Sequence, residues 1–189
     1  MISMEQNPYE MDTPKDRIDY AGKCGVLLGV MWMVAFLCSI YSLDNPLLGY
    51  AGNTVALLSL YALYLIIVRY RAFVAPLRFL SCCKMAWLTC LFAGLLTTLA
   101  QYLYFRFIDG GHLMLSLTEM LHDEQYRQAF RQAMPHVTPE DMVQLLSGIK
   151  MNDMVLGLWS FNLFISFPMS LTAAIFASLK NVDKYRTKQ

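Results

Sequence analysis

The side chains best suited to chemistry gather in one polar stretch, where His112, His122 and His136 occur with Asp109, Glu119 and Asp123. Glu119 and His122 are three apart, so on a helix the carboxylate and the imidazole share a face, as ligands of one metal ion must. A zinc or di-iron centre would show a paired Glu-x-x-His or a His-Glu-x-x-His, and the chain has neither. The histidines therefore read as solvated surface groups, and no metal ligand and no cofactor is assigned. No nucleophile elbow, phosphate-cradling loop, dinucleotide fingerprint or metalloprotease motif occurs either. No catalytic residue is assigned, and the chain is expected not to be an enzyme.

A second group is cationic. Arg69, Arg71, Arg78 and Lys84 follow one another with no acidic residue between them, interleaved with Phe73, Leu77, Phe79 and Leu80. Such a stretch can lie at lipid headgroups, where each cation contributes about 1 kcal/mol near anionic lipid. It can equally hold a phosphate or a protein partner, or do no more than set topology.

The third group is polar but uncharged and sits in apolar surroundings. Gln101 and Asn162 are its most prominent members. They suit either an interhelical hydrogen bond, the simpler reading, or a polar path for a solute or lipid. Small residues recur every fourth position as Gly25 and Gly29, and again as Ser166, Ser170, Ala174 and Ser178. Faces of this kind let helix backbones approach closely, within a chain or between subunits.

The elements that carry these groups follow from composition. Of 189 residues, 57% are hydrophobic and only 15% charged, against about 25% charged in soluble domains. The excess apolar surface must face something other than water. The net charge of +1 gives no footprint for nucleic acid. Four runs lack Asp, Glu, Lys and Arg: Cys24 to Leu43, Leu47 to Val68, Met85 to Phe105, and Met154 to Leu179. Each reaches the roughly 20 residues that cross a ~30 Å hydrocarbon core. The expected fold is an all-α integral membrane four-helix bundle. Its spans cover about residues 22–43, 47–68, 85–107 and 154–179, within a membrane domain 21–180 flanked by tails 1–20 and 181–189. Pro168 interrupts the backbone bonding of the fourth span and is expected to kink it.

Orientation follows from Lys and Arg beside the spans. Eleven lie on one side: Lys15, Arg17, Lys23, Arg69, Arg71, Arg78, Lys84, Lys180, Lys184, Arg186 and Lys188. Four lie on the other: Arg106, Arg127, Arg131 and Lys150. Both tails are therefore expected in the cytoplasm, with the short turn Asp44 to Pro46 and the segment 108–153 outside. The first run follows a polar, acidic stretch and has no small-residue cleavage site, so it is expected to stay as a span rather than act as a signal. All five cysteines fall in the spans or the inner loop, which implies no structural disulfide.

In the outer segment, Leu113 to Met134 reads as one helix with Tyr126, Ala129, Phe130 and Ala133 on a common face. Pro135 ends it. A second helix starts at Thr138-Pro139-Glu140-Asp141, feeding the fourth span: Thr can cap, Pro suits the first turn, and acids suit the positive end of the dipole. Gly110 and Gly111 are the expected hinge. An amphipathic pair of this size lies on the membrane surface or covers the bundle mouth.

Taken with the four-span layout, Tyr104-Phe105-Arg106-Phe107-Ile108-Asp109, the helical outer segment and Phe167-Pro168 resemble a bacterial membrane family. It is the one catalogued as domain of unknown function 4199, common in Bacteroidetes. The resemblance covers about Ile18 to Lys180. The family often has Pro after the Asp where this chain has Gly110-Gly111, so a different local turn is expected. The resemblance implies a protein of the bacterial inner membrane with unassigned activity and no catalytic residue to carry over. It also implies a neighbouring polyprenyl-phosphate-type glycosyltransferase as a partner. Together these readings lead to a partner or scaffold subunit of an envelope or glycolipid-related complex, in contact with membrane lipids or with further copies of itself. The alternative is a small permease or lipid translocator with a path between the third and fourth spans.

Overall fold

A computed structural model describes residues 14–73, 79–133, 137–148 and 150–179. Seven helices account for most of them: α1 (Pro14–Tyr41), α2 (Pro46–Phe73), α3 (Phe79–Phe107), α4 (His112–His122), α5 (Glu124–Ala133), α6 (Pro139–Gly148) and α7 (Met151–Leu179). There is no strand among the described residues. Residues 1–13 of the expected tail 1–20, the whole expected tail 181–189, and the residues Leu77, Arg78, Pro135, His136 and Lys180 lie outside the described set.

The four long helices have 28, 28, 29 and 29 residues. At 1.5 Å per residue each is about 42 Å long, more than the ~30 Å hydrocarbon core requires. They therefore run past the charge-free stretches and carry their charged ends to the headgroup level. All four are apolar enough to cross a membrane.

Local chemistry sets the boundaries. α1 opens on Pro14 and α2 on Pro46, where the absent N–H is one the helix would leave unbonded anyway. Asn45 Oδ1 accepts the Leu47 N–H at 3.1 Å and so tightens the turn between α1 and α2. After α3 the chain reverses through Gly110 (φ +55°) and Gly111 (φ +92°), a left-handed pair that side-chain-bearing residues rarely adopt. Thr138 and Asp141 form a reciprocal cap at the start of α6. Asp141 N–H donates to Thr138 Oγ1 at 3.1 Å, and Thr138 N–H donates to Asp141 Oδ2 at 3.3 Å.

The single outer helix expected from Leu113 to Met134 is in fact two. Asp123 adopts an extended conformation after α4, and its carbonyl accepts the Arg127 N–H at 3.0 Å as α5 begins. Asp is among the best residues for capping a helix start and among the weaker ones inside a helix, so the break falls there. α6 and α7 are also separate helices, with the last residue of α6 at Gly148 and the first of α7 at Met151.

In the bundle α3 packs chiefly against α1 and α7, and α2 closes the ring by packing against both of those. α1 and α3 run parallel, as do α2 and α7. The buried core includes Leu28, Leu63, Ile67, Cys82, Ala86, Cys90, Ala93, Ala174 and Ala177. The outward faces are as apolar as the core: Leu57 is 72% exposed and Phe164 77% exposed. A bundle with apolar residues inside and out is built for lipid rather than water. α4, α5 and α6 pack mainly on one another beyond the end where α1 turns into α2.

Candidate functional site

A cavity of about 60 Å³ opens at the end of the bundle where α1 starts and α7 finishes. It is lined by Arg17 from α1, Tyr70 from α2, and Ser81, Lys84, Met85 and Leu88 from α3. Ser81, Lys84 and Leu88 follow at helical spacing, so α3 presents one face to it. Tyr70 is buried, and its ring lies 5.2 Å from that of Tyr20. Tyr20 in turn donates its hydroxyl to the Ile66 carbonyl at 3.2 Å, tying α1 to α2 beside the cavity. Two cationic and two hydroxyl-bearing residues thus line it beside apolar Met85 and Leu88.

Of the four sequence-selected cations, the three among the described residues have different surroundings. Lys84 is exposed at the cavity rim and Arg69 is exposed on α2. Arg71 is half-buried, and its guanidinium donates to the Ala177 carbonyl near the end of α7. It serves as a clamp between two helices, satisfying a carbonyl that a helix terminus leaves open. Arg78 lies outside the described residues.

Gln101 and Asn162 are brought together. Asn162 Nδ2 donates to Gln101 Oε1 at 3.3 Å and to Thr98 Oγ1 at 3.1 Å, and Gln101 is buried. The carboxamides therefore bond α3 to α7 rather than face an open channel. Trp32 Nε1, which donates to Ser59 Oγ at 3.1 Å, joins α1 and α2 in the same manner.

Gly25 and Gly29 on α1, and Ser170 on α7, are used inside the chain, against α3. A Cβ on Gly25 would lie 2.5 Å from Phe92 Cβ, and one on Gly29 would lie 3.2 Å from the Ala93 carbonyl oxygen. Thr97 Oγ1 is within 3.4 Å of the Gly29 carbonyl across that contact. Ser166, Ser170 and Ala174 are buried and Ser178 half-buried on α7, with Ser170 Oγ 3.6 Å from Cys90 Sγ. Ser166 and Ser170 also donate to the carbonyls of Asn162 and Ser166, each four residues earlier, which removes their polar cost in an apolar setting.

At the opposite end, His112 Nε2 sits 3.1 Å from Asp44 Oδ2, within ion-pair distance although outside hydrogen-bonding geometry. The His112 ring is 5.9 Å from that of Tyr41, whose ring in turn is 6.5 Å from that of Tyr104. Asp109 accepts from the Gly111 and Leu113 N–H groups, each at 3.1 Å, and so holds the left-handed turn and the start of α4. His122 approaches the Thr118 carbonyl at 2.7 Å rather than Glu119. Among the described residues no three His, Cys, Asp or Glu side chains converge on a metal position.

Sequence reading missed Arg17, Tyr70 and Ser81 as partners of Lys84. The spacing of Ser81, Lys84 and Leu88 was available as a signal, but the contributions of α1 and α2 depend on how three helices are rotated. It read Gly110 and Gly111 as a hinge but gave Asp109 no part in it, where Asp-Gly-Gly before a helix could have been read as a turn and cap.

Fold and site together define an all-α, multi-pass membrane protein with a basic, hydroxyl-bearing cavity at one end and a helical cap at the other. Residues 23–178 match the family described as Protein of unknown function (DUF4199), and the chain belongs to it. No curated protein and no solved structure gives a match.

Proposed function

We propose that the protein is a non-enzymatic partner or scaffold subunit of the bacterial inner membrane, with both termini in the cytoplasm. Its partner is a membrane enzyme of envelope glycolipids, of the polyprenyl-phosphate glycosyltransferase type that the family resemblance implies. The observation that carries this reading is the cavity shared by Arg17 and Lys84, from two helices, with exposed Arg69 near the same end of α2. Exposed Phe79 and Leu80 lie beside them. Cations beside apolar side chains at the headgroup level suit a partner held at the cytoplasmic face. The polar groups deep in the bundle are engaged with one another, Asn162 with Gln101 and Thr98, and Trp32 with Ser59, which weakens a translocation path between α3 and α7.

Affinity purification of the natively expressed, C-terminally tagged protein in mild detergent, with mass spectrometry and a native mass, tests this. A membrane enzyme recovered in stoichiometric amount is the expected result. Recovery of the protein alone, as a monomer or homo-oligomer, would overturn it and make solute or lipid flux the next assay.

A further inference from the structure

We infer that the cavity between α1, α2 and α3 is a binding site for the phosphate of an anionic lipid. This deepens the reading of the basic end given above and holds with or without a protein partner. Arg17 and Lys84 supply the charge, from two helices that a bound anion would bridge. Tyr70 and Ser81 supply hydroxyl donors on the same walls. Guanidinium, ammonium and hydroxyl groups are the donors that satisfy a phosphate, with the charge-assisted bonds about twice as strong as neutral ones. Tyr70 is 5% exposed and braced by the Tyr20 ring, so that wall of the site is fixed in place.

Size decides what the ligand is. Pockets for whole small molecules run from about 300 to 1,000 Å³, and this cavity has about 60 Å³. A single oxyanion fits; a nucleotide does not. The rest of the molecule must then lie outside, and the surroundings say where. Apolar Met85 and Leu88 line the cavity, while Leu80 is 63% and Trp87 46% exposed on the same helix. Trp is favoured where hydrocarbon meets headgroups. An acyl chain descending along α3 from a phosphate held at Lys84 passes Trp87 and Leu88, one turn deeper. Free phosphate offers the same oxyanion without that second contact, so the lipid is the better occupant.

The test uses the full chain purified in a nonionic detergent and titrated with dioctanoyl phosphatidic acid, dioctanoyl phosphatidylcholine and inorganic phosphate, with bound adducts read by native mass spectrometry. Phosphatidic acid is expected to bind in preference to phosphatidylcholine, with affinity falling as salt is raised. Lys84→Ala should weaken it about fivefold, and Arg17→Ala combined with Lys84→Ala roughly 20-fold. Lys84→Arg should retain most of the affinity. Lys23→Ala should leave binding unchanged, because Lys23 is exposed and paired with Asp19 at 2.7 Å. Lys84 is exposed, so its variants test binding rather than folding. Equal retention of the two lipids, or phosphatidic acid binding untouched by Lys84→Ala, overturns the inference. Binding of inorganic phosphate as tight as that of phosphatidic acid assigns the site to a free oxyanion and overturns the lipid.

Discussion

Gly25 on α1 faces Phe92 on α3 so closely that an added Cβ would lie 2.5 Å from Phe92 Cβ and 3.0 Å from the Thr89 carbonyl oxygen. No real Cβ tolerates the first distance, and the backbone oxygen cannot step aside. Gly25→Ala should therefore force α1 away from α3 and destabilise the bundle by about 1–3 kcal/mol, the usual cost of overpacking. Gly22, one turn earlier, has nothing within 4 Å of its Cβ position, so Gly22→Ala should be neutral or slightly stabilising. Thermal unfolding of the two variants in the same detergent separates a packing contact from a general effect of methyl groups on α1.

The bond between Asn162 and Gln101 leads to a second expectation. Replacing Asn162 with Ala leaves Gln101 Oε1 and Thr98 Oγ1 without that donor. Polar pairs between membrane helices contribute about 0.6 kcal/mol on average and about 1.7 at most. A double-mutant cycle of Asn162→Ala and Gln101→Ala should return a coupling in that range. A coupling of zero would mean that the two amides act independently and would reopen the case for a polar path between α3 and α7.

Legibility in the sequence divided along physical lines. The long helices announce themselves because lipid demands an unbroken apolar run, and each run could be read residue by residue. Caps were equally local, and Thr138 with Asp141 needed only four residues of sequence. Contacts between helices were not local. Arg71 and the carbonyl it clamps are 106 residues apart, and Arg17 and Lys84 line one cavity only because α1 lies beside α3. The two small-residue faces could be seen as surfaces for close approach, but that Gly25, Gly29 and Ser170 turn toward α3 depends on the rotation of the whole bundle. The break at Asp123 lay between these cases: its residue type favours a cap, yet the apolar spacing around it favoured continuity.

The pair of His112 and Asp44 joins the helical cap to the turn between α1 and α2. Their side chains are 34% and 51% exposed, and partly exposed pairs contribute no more than about 1 kcal/mol. Asp44→Ala should therefore loosen the cap without unfolding the bundle. Amide hydrogen exchange in α4 should quicken by up to about fivefold, while α1 and α3 keep their protection. Unchanged exchange in α4 would show that Asp109 and the left-handed turn hold the cap unaided.

Arg69 and Arg71 stand two residues apart yet should fail in different ways. Arg71 donates to the Ala177 carbonyl, and hydrogen bonds involving a charged group contribute about 1.5–3 kcal/mol. Arg71→Ala should lower the unfolding midpoint accordingly, with loss of partner following only from loss of fold. Arg69 is exposed, so Arg69→Glu should leave the midpoint within about 0.5 kcal/mol of the parent. If the basic end holds a partner, that same variant should release it, because reversing a rim charge replaces an attraction by a repulsion. Unfolding and co-purification measured side by side on both variants decide the matter. A partner that stays bound to a fully folded Arg69→Glu protein would remove Arg69 from the contact surface.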